Sequence, residues 1–259
     1  MLTALGLEHC RFAGSGSAPL SGDIINWYRD LGLELLEGYG MSENFAYSHI
    51  TLPGRSRVGY VGEPLPGVEQ RISEIGEIEV KSPATMMGYY KDEQKTKESF
   101  TEDGFLLTGD KGEIDEEGRL KITGRIKEIF KTSKGKYVAP APIENRIVSH
   151  NAVEMVCVAG AECPQPHALI QLSEEAMPKR NDPEFRKSLD ESLSAVMAEV
   201  NNSVDPHEAL QFMVVVKDVW GMDNDFLTPT MKIKRNIVED VYKPHIDGWY
   251  ASKQKIIWE

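Results

Sequence analysis

Apolar and polar positions divide the chain into three textures. His9–Ala13 reads as a short buried strand ending in Gly14-Ser-Gly-Ser-Ala-Pro19, and Leu33–Leu36 as a second strand running into Glu37-Gly-Tyr-Gly-Met-Ser-Glu43. Between them Ile24, Trp27, Tyr28 and Leu31 recur at helical spacing, with Ser21 or Asp23 placed to cap the helix. Strand, helix and strand predict a βαβ segment over residues 1–52. A ligand is expected where its strands end in small-residue loops that allow close backbone approach.

From Leu52 onward glycines and prolines punctuate short runs. Val68–Ile72, Glu77–Lys81 and Arg119–Thr123 alternate with period two, Asp115–Gly118 reads as a hairpin turn, and Lys91–Phe100 as a short helix. These features predict a small β subdomain over 53–124, with a distorted barrel as one form. After Arg125 the pattern becomes α+β. Pro140–Ser149 reads as a helix with prolines in its first turn. Glu154–Ala161, Ala168–Leu172 and Gln211–Val216 read as strands. Pro183–Val200 places Phe185, Leu189, Leu193, Val196 and Val200 on one helical stripe. Thr228–Asn236 is a polar, basic turn leading into a final helix. The expected fold class is mixed: α/β and β over 1–124, then a small α+β domain over 125–259.

The segment Lys121–Pro140 joins these halves. It carries six basic residues, Lys121, Arg125, Lys127, Lys131, Lys134 and Lys136, against one acid, Glu128, in a chain of net charge -12. A basic, glycine-containing crossover in an acidic protein suggests an anionic ligand near the junction, and a solvated hairpin followed by a loop is the plainer alternative.

The 259 residues suffice for two ordinary domains. Hydrophobic residues at 41% and charged residues at 27% suit a soluble globular protein. The acidic balance argues against nucleic-acid binding through general phosphate attraction. Cys10, Cys157 and Cys163 lack zinc-like spacing, and reduced thiols in a cytoplasmic protein are the simplest expectation. No apolar run reaches the roughly 20 residues of a membrane span. Peripheral membrane contact and oligomeric state stay open.

Four motifs in order carry a family resemblance: Gly-Tyr-Gly-Met-Ser-Glu at 38–43, Thr-Gly-Asp at 108–110, Gly-Arg-Ile-Lys-Glu through Val-Ala-Pro at 124–140, and Leu-Thr-Pro-Thr-Met-Lys-Ile-Lys-Arg at 227–235. The chain resembles the adenylate-forming enzymes, which include acyl-CoA synthetases, luciferases and peptide-synthetase adenylation domains. Its Val-Ala-Pro and Thr-Pro-Thr-Met-Lys-Ile-Lys-Arg forms resemble long-chain fatty acyl-CoA synthetases most. The family's Ser/Thr/Gly-rich phosphate loop ending in Lys-Gly has no counterpart here. The expectation is therefore a C-terminal portion, inactive alone, comprising the end of the nucleotide domain and the lid domain.

The resemblance implies a fatty acid, ATP and coenzyme A as substrates of the complete enzyme, and Mg²⁺ as cofactor. It implies that Gly16, Ser17, Ala18 and Pro19, with Glu37, Gly38, Tyr39, Gly40 and Met41, line the adenine pocket. Ser42 offers phosphate a hydroxyl, and Glu43 would hold Mg²⁺. Asp110 would accept both ribose hydroxyls, Arg125 would add a ribose contact, and Ile122 would pack on adenine. Lys127 falls at the hinge, where Gly124 stands in place of the Asp of many relatives. Gly135, Lys136 and Tyr137 match the loop that forms the pantetheine tunnel. Lys232 matches the catalytic lysine of adenylation. Lys234 and Arg235 are expected as exposed surface charges. Two alternatives remain: a non-catalytic nucleotide-binding or interaction module, and an adenylating enzyme that loads a carrier protein.

Overall fold

The computed structural model describes residues 1–18 and 20–259 and divides into two units, Met1–Lys127 and Glu128–Glu259. In the first unit a four-stranded sheet takes the order β1 (Ala13–Ser15), β2 (Leu35–Tyr39), β3 (His49–Ile50) and β4 (Glu63–Pro64). β1 and β2 are parallel and joined by α1 (Gly22–Asp30). β1 begins at Ala13, where the expected strand ends, because only Ala13–Ser15 finds backbone partners in β2. β2 in turn extends through Glu37-Gly-Tyr39, expected as loop, because β3 continues the ladder at Gly38 and Tyr39.

Ser21 caps α1, accepting a hydrogen bond from the Asp23 backbone N–H. Gly32, with φ 87°, turns the chain out of the helix, as a left-handed residue does at a helix end. The helix buries Ile25 rather than the expected stripe: Ile24 and Trp27 are exposed.

The rest of this unit is an antiparallel meander, β5 (Glu69–Ile72), β6 (Glu77–Lys81), β7 (Leu106–Ile114) and β8 (Leu120–Arg125), with α2 (Glu93–Glu98) between β6 and β7. It is an open sheet rather than a barrel, since β5 and β8 are its two edges. Alternation buries Ile78, Val80, Leu106 and Leu120, and Tyr39 and Met41 from the end of β2 pack against this core. That packing brings the β2 terminus beside β7 and β8.

The second unit opens with the hairpin β9 (Phe130–Lys131) and β10 (Tyr137–Val138), followed by α3 (Pro140–Ile147). A sheet of β11 (Val153–Ala159), β12 (His167–Leu172), β13 (Met213–Val215) and β14 (Ile256–Trp258) carries helices on both faces. Ala168, Ile170, Met213 and Val215 point to one face, where α3 and α4 (Pro183–Ser203) contribute Ile143, Ile147, Leu189 and Leu193. Leu169, Val214 and Ile257 point to the other, where α5 (Arg235–Tyr242) and α6 (Ile246–Ser252) contribute Val238, Tyr242 and Trp249. β14 was not anticipated. Among the described residues no helix is long and apolar enough to cross a membrane.

Candidate functional site

The parallel register sets Ser15 beside Glu37, so the loops after β1 and β2 leave the sheet side by side. A Cβ on Gly16 would lie 3.3 Å from the Gly38 carbonyl oxygen, which explains a glycine there. Ser17 takes a left-handed φ of 70°. Ala18 is described beside it, whereas Pro19 lies outside the described residues. Gly40 is required more strictly, because a Cβ there would sit 2.6 Å from the Ala46 Cα. The chain folds back so closely because Ser42–Asn44 forms a 3-10 turn, and the Met41 N–H donates to Asn44 Oδ1 at 2.9 Å.

Glu37 stands at this edge, partly buried, and burial pushes its carboxyl up to about 7 against a hydrogen bond from the Leu20 backbone. Tyr39 reaches from β2 to β7, and its hydroxyl donates to Asp110 Oδ2 at 2.6 Å. Burial, and then the Asp110 charge, raise the Tyr39 pKa, so the phenol stays protonated.

Thr108-Gly-Asp110 lies within strand β7. Register places Asp110 opposite Arg125 on β8, and Arg125 Nε donates to Asp110 Oδ1 at 2.7 Å. Tyr39 thus holds one carboxylate oxygen and Arg125 the other, and an ionised carboxylate offers about four acceptor directions in total. The Asp110 side chain is 12% exposed and that of Arg125 50%, so the pair borders solvent. Ile122, opposite Gly112, packs partly buried against the sheet core. The first unit therefore gathers Tyr39, Asp110 and Arg125 into one hydrogen-bonded group.

Ser42 is exposed beside Glu43. The Tyr89 hydroxyl donates to Glu43 Oε1 at 2.7 Å, fixing the carboxylate, and sequence reasoning did not identify this tyrosine. Its only signal in the sequence is its place in the run Met86-Met-Gly-Tyr-Tyr90. Among the described residues no group of three or more His, Cys, Asp or Glu forms a metal cage. One hard carboxylate with a neighbouring hydroxyl nevertheless suits Mg²⁺, which favours one or two carboxylates completed by waters and substrate phosphate.

Lys127 closes the first unit, within the turn Ile126–Glu128. In the second unit, Gly135 takes a φ of 77° at the tip of the β9–β10 hairpin, with Lys136 and Tyr137 exposed beside it. Lys232 lies on a loop closed by pairing of Leu227 with Ile233. The Thr228 N–H donates to the Lys232 carbonyl at 2.8 Å, and the Lys232 N–H to Thr228 Oγ1 at 3.0 Å. Lys232 is exposed. Lys234 pairs with Asp225.

Arg235 corrects its expected surface role. It is 17% exposed, and its Nη1 and Nη2 donate to Glu144 Oε1 and Oε2 at 2.7 and 3.0 Å. Burial opposes its charge, but Glu144 overrides burial, and the pKa is raised. Neighbouring Cys157 is buried, which pushes its thiol up to about 12 and leaves it unreactive.

Family models for "AMP-binding enzyme" and "AMP-binding enzyme C-terminal domain" match residues 3–90 and 127–254. The chain is 36% identical to long-chain-fatty-acid–CoA ligase FadD15 of Mycobacterium bovis, over 95% of this chain and 43% of that protein. It is 32% identical to long-chain-fatty-acid–CoA ligase 6 of Rattus norvegicus, over 94% of this chain and 38% of that protein. The chain thus spans less than half the length of these curated relatives. Among solved structures, ATP-bound MatB from Rhodopseudomonas palustris is similar with TM-score 0.68 and 29% identity, over 90% of this chain and 46% of that one. The AMP complex of the A-PCP didomain of carboxylic acid reductase from Segniliparus rugosus gives TM-score 0.73 and 26% identity, over 93% and 34%.

Proposed function

Because this chain belongs to the AMP-binding enzymes, we propose that it is the nucleotide-handling and lid portion of an ATP-dependent fatty acid–CoA ligase. The observation that carries this reading is Asp110, held by Tyr39 and Arg125 with acceptor capacity left for a pair of vicinal hydroxyls. Two chemical steps follow. A fatty carboxylate oxygen attacks the α-phosphorus of ATP, and pyrophosphate leaves to give the acyl-adenylate. The coenzyme A thiol then attacks the acyl carbon, losing its proton, and AMP leaves to give the thioester.

In this reading Tyr39 presents a ring face to adenine while Asp110 and Arg125 orient the ribose. Gly16 to Ala18 and Glu37 to Met41 border the base, Ile122 packs on it, and Ser42 contacts phosphate. Lys232 places its ammonium against the substrate carboxylate and α-phosphate oxygens, where negative charge gathers. Residues 1–124 and 125–259 act as nucleotide domain and lid, with Lys127 as the hinge. Gly135, Lys136 and Tyr137 guide the pantetheine arm.

The test separates the half-reactions. In the complete protein Lys232→Ala is expected to abolish most fatty-acid-dependent pyrophosphate exchange while sparing thioester formation from supplied acyl-adenylate. Equal loss of both removes the role given to Lys232. The 259 residues alone, without a Lys-Gly-closed phosphate loop, are expected to show no exchange, and exchange by them would refute that expectation. Transfer to a carrier-protein thiol in preference to coenzyme A would replace the acceptor.

A further inference from the structure

Arg235 meets four residues at three separate places in the second unit. Besides its two hydrogen bonds to Glu144 on α3, Nη1 donates to the Val158 carbonyl at 3.0 Å and approaches Cys157 Sγ at 3.4 Å, both on β11. Nη2 lies 3.4 Å from Glu128 Oε2, at the residue where the chain enters the unit. Glu144 Oε1 also accepts the Val158 N–H at 2.6 Å, so helix, strand and guanidinium share one carboxylate. Arg235 stands at the first position of α5, three residues after Lys232. The loop before it is closed on itself, and the Lys234 N–H donates to the Phe226 carbonyl at 2.8 Å.

We propose that Arg235 is the positioning residue for Lys232. It fixes the exit of the 227–233 loop to α3, to β11 and to the entry segment at Glu128, so that the exposed lysine is carried on a rigid base. A solvated arginine would not do this, because a single exposed ion pair contributes little and leaves its partners mobile. A planar fork on one carboxylate, with a backbone carbonyl beside it, fixes direction as well as charge, which lysine cannot reproduce. This inference rests on Lys232 acting in adenylation.

The experiment uses Arg235→Lys and Glu128→Gln in the complete protein, the second chosen because it leaves the Glu144 pair intact if the first fails to fold. For Arg235→Lys, kcat for pyrophosphate exchange is expected to fall about 10²-fold with KM for ATP little changed, as misplacement of a catalytic group does. Thioester formation from supplied acyl-adenylate is expected to stay within a few-fold. Glu128→Gln is expected to give the same split, smaller. Deuterium exchange at amides 226–234 is expected to quicken in both. Unchanged exchange there, or equal loss of both half-reactions, overturns the proposal. If the unsubstituted enzyme shows no adenylation, the functional reading falls, and the deuterium result alone decides whether Arg235 holds the loop.

Discussion

Each unit holds one arginine–carboxylate pair at its centre of interest, and the two pairs are built for different ends. In the first, Arg125 meets Asp110 through Nε, and half of the arginine side chain is exposed. In the second, Arg235 is 17% exposed and grips both oxygens of Glu144, one of which also takes a backbone N–H. The chemistry of the partners is the same. What differs is the number of donors on the carboxylate and the water around the cation. A carboxylate with spare acceptor capacity beside solvent suits a ligand, whereas a crowded, buried one holds the fold together.

The sharpest way to break this contrast is to delete the acid in each unit. Glu144→Ala leaves a buried guanidinium without its main partner and is expected to cost about 3–5 kcal/mol, read from the denaturant midpoint of the chain. A cost under about 1 kcal/mol would show that water already serves Arg235. Asp110→Ala is expected to cost AMP binding most of its strength, about 1.5–3 kcal/mol by calorimetry for lost hydrogen bonds to a charged group. The same change should lower stability by only about 1 kcal/mol, because Arg125 reaches water. Comparable stability losses in the two variants would erase the distinction.

Tyr89→Phe tests whether a supporting hydroxyl matters for an acid that faces a ligand. It frees Glu43 Oε1 and is expected to weaken divalent-ion binding by about 1 kcal/mol, followed with Mn²⁺ by electron paramagnetic resonance. Unaltered Mn²⁺ binding would leave Tyr89 a purely structural partner. An effect no larger is expected from Glu37→Gln. Glu37 is raised from 4.5 to about 7, so its contribution to stability is complete below pH 4.5 and is lost as pH rises through 7. The variant should flatten that slope, worth about 1 kcal/mol at a partly exposed site. An unchanged slope between pH 5 and 8 would contradict the shift.

Regular elements with strong periodicity were legible in the sequence. β6 was expected at Glu77–Lys81 and occurs there, and α4 starts at the expected Pro183. The four motifs also pointed to the segments that carry Tyr39, Asp110 and Arg125. Three features were hidden for identifiable reasons. Gly38 and Tyr39 read as loop because glycine is disfavoured in strands, yet the β3 ladder extends β2 through them. Ile24 and Trp27 fall on a helical stripe yet are exposed, because helical spacing marks a stripe without saying how much of it is covered. Arg235 read as one more surface charge in a basic run, since its partner Glu144 is 91 residues away and no local pattern encodes that meeting.

β13 has a consequence for the order in which the chain acquires its structure. This short strand lies between two parallel partners, and each joins it through helices: α4 before it, α5 and α6 after it. Neither pairing can begin as a tight hairpin, so long loops must close before the ladder repays their entropy. Within the β5–β8 meander, β5–β6 and β7–β8 close through short turns and escape that delay, whereas β6–β7 closes through the longer segment that carries α2. Three of the four tryptophans, Trp220, Trp249 and Trp258, belong to the later-forming unit. On dilution from denaturant, the fluorescence of this protein is therefore expected to follow the slow closure around β13, while backbone signal from the β5–β6 and β7–β8 hairpins returns first.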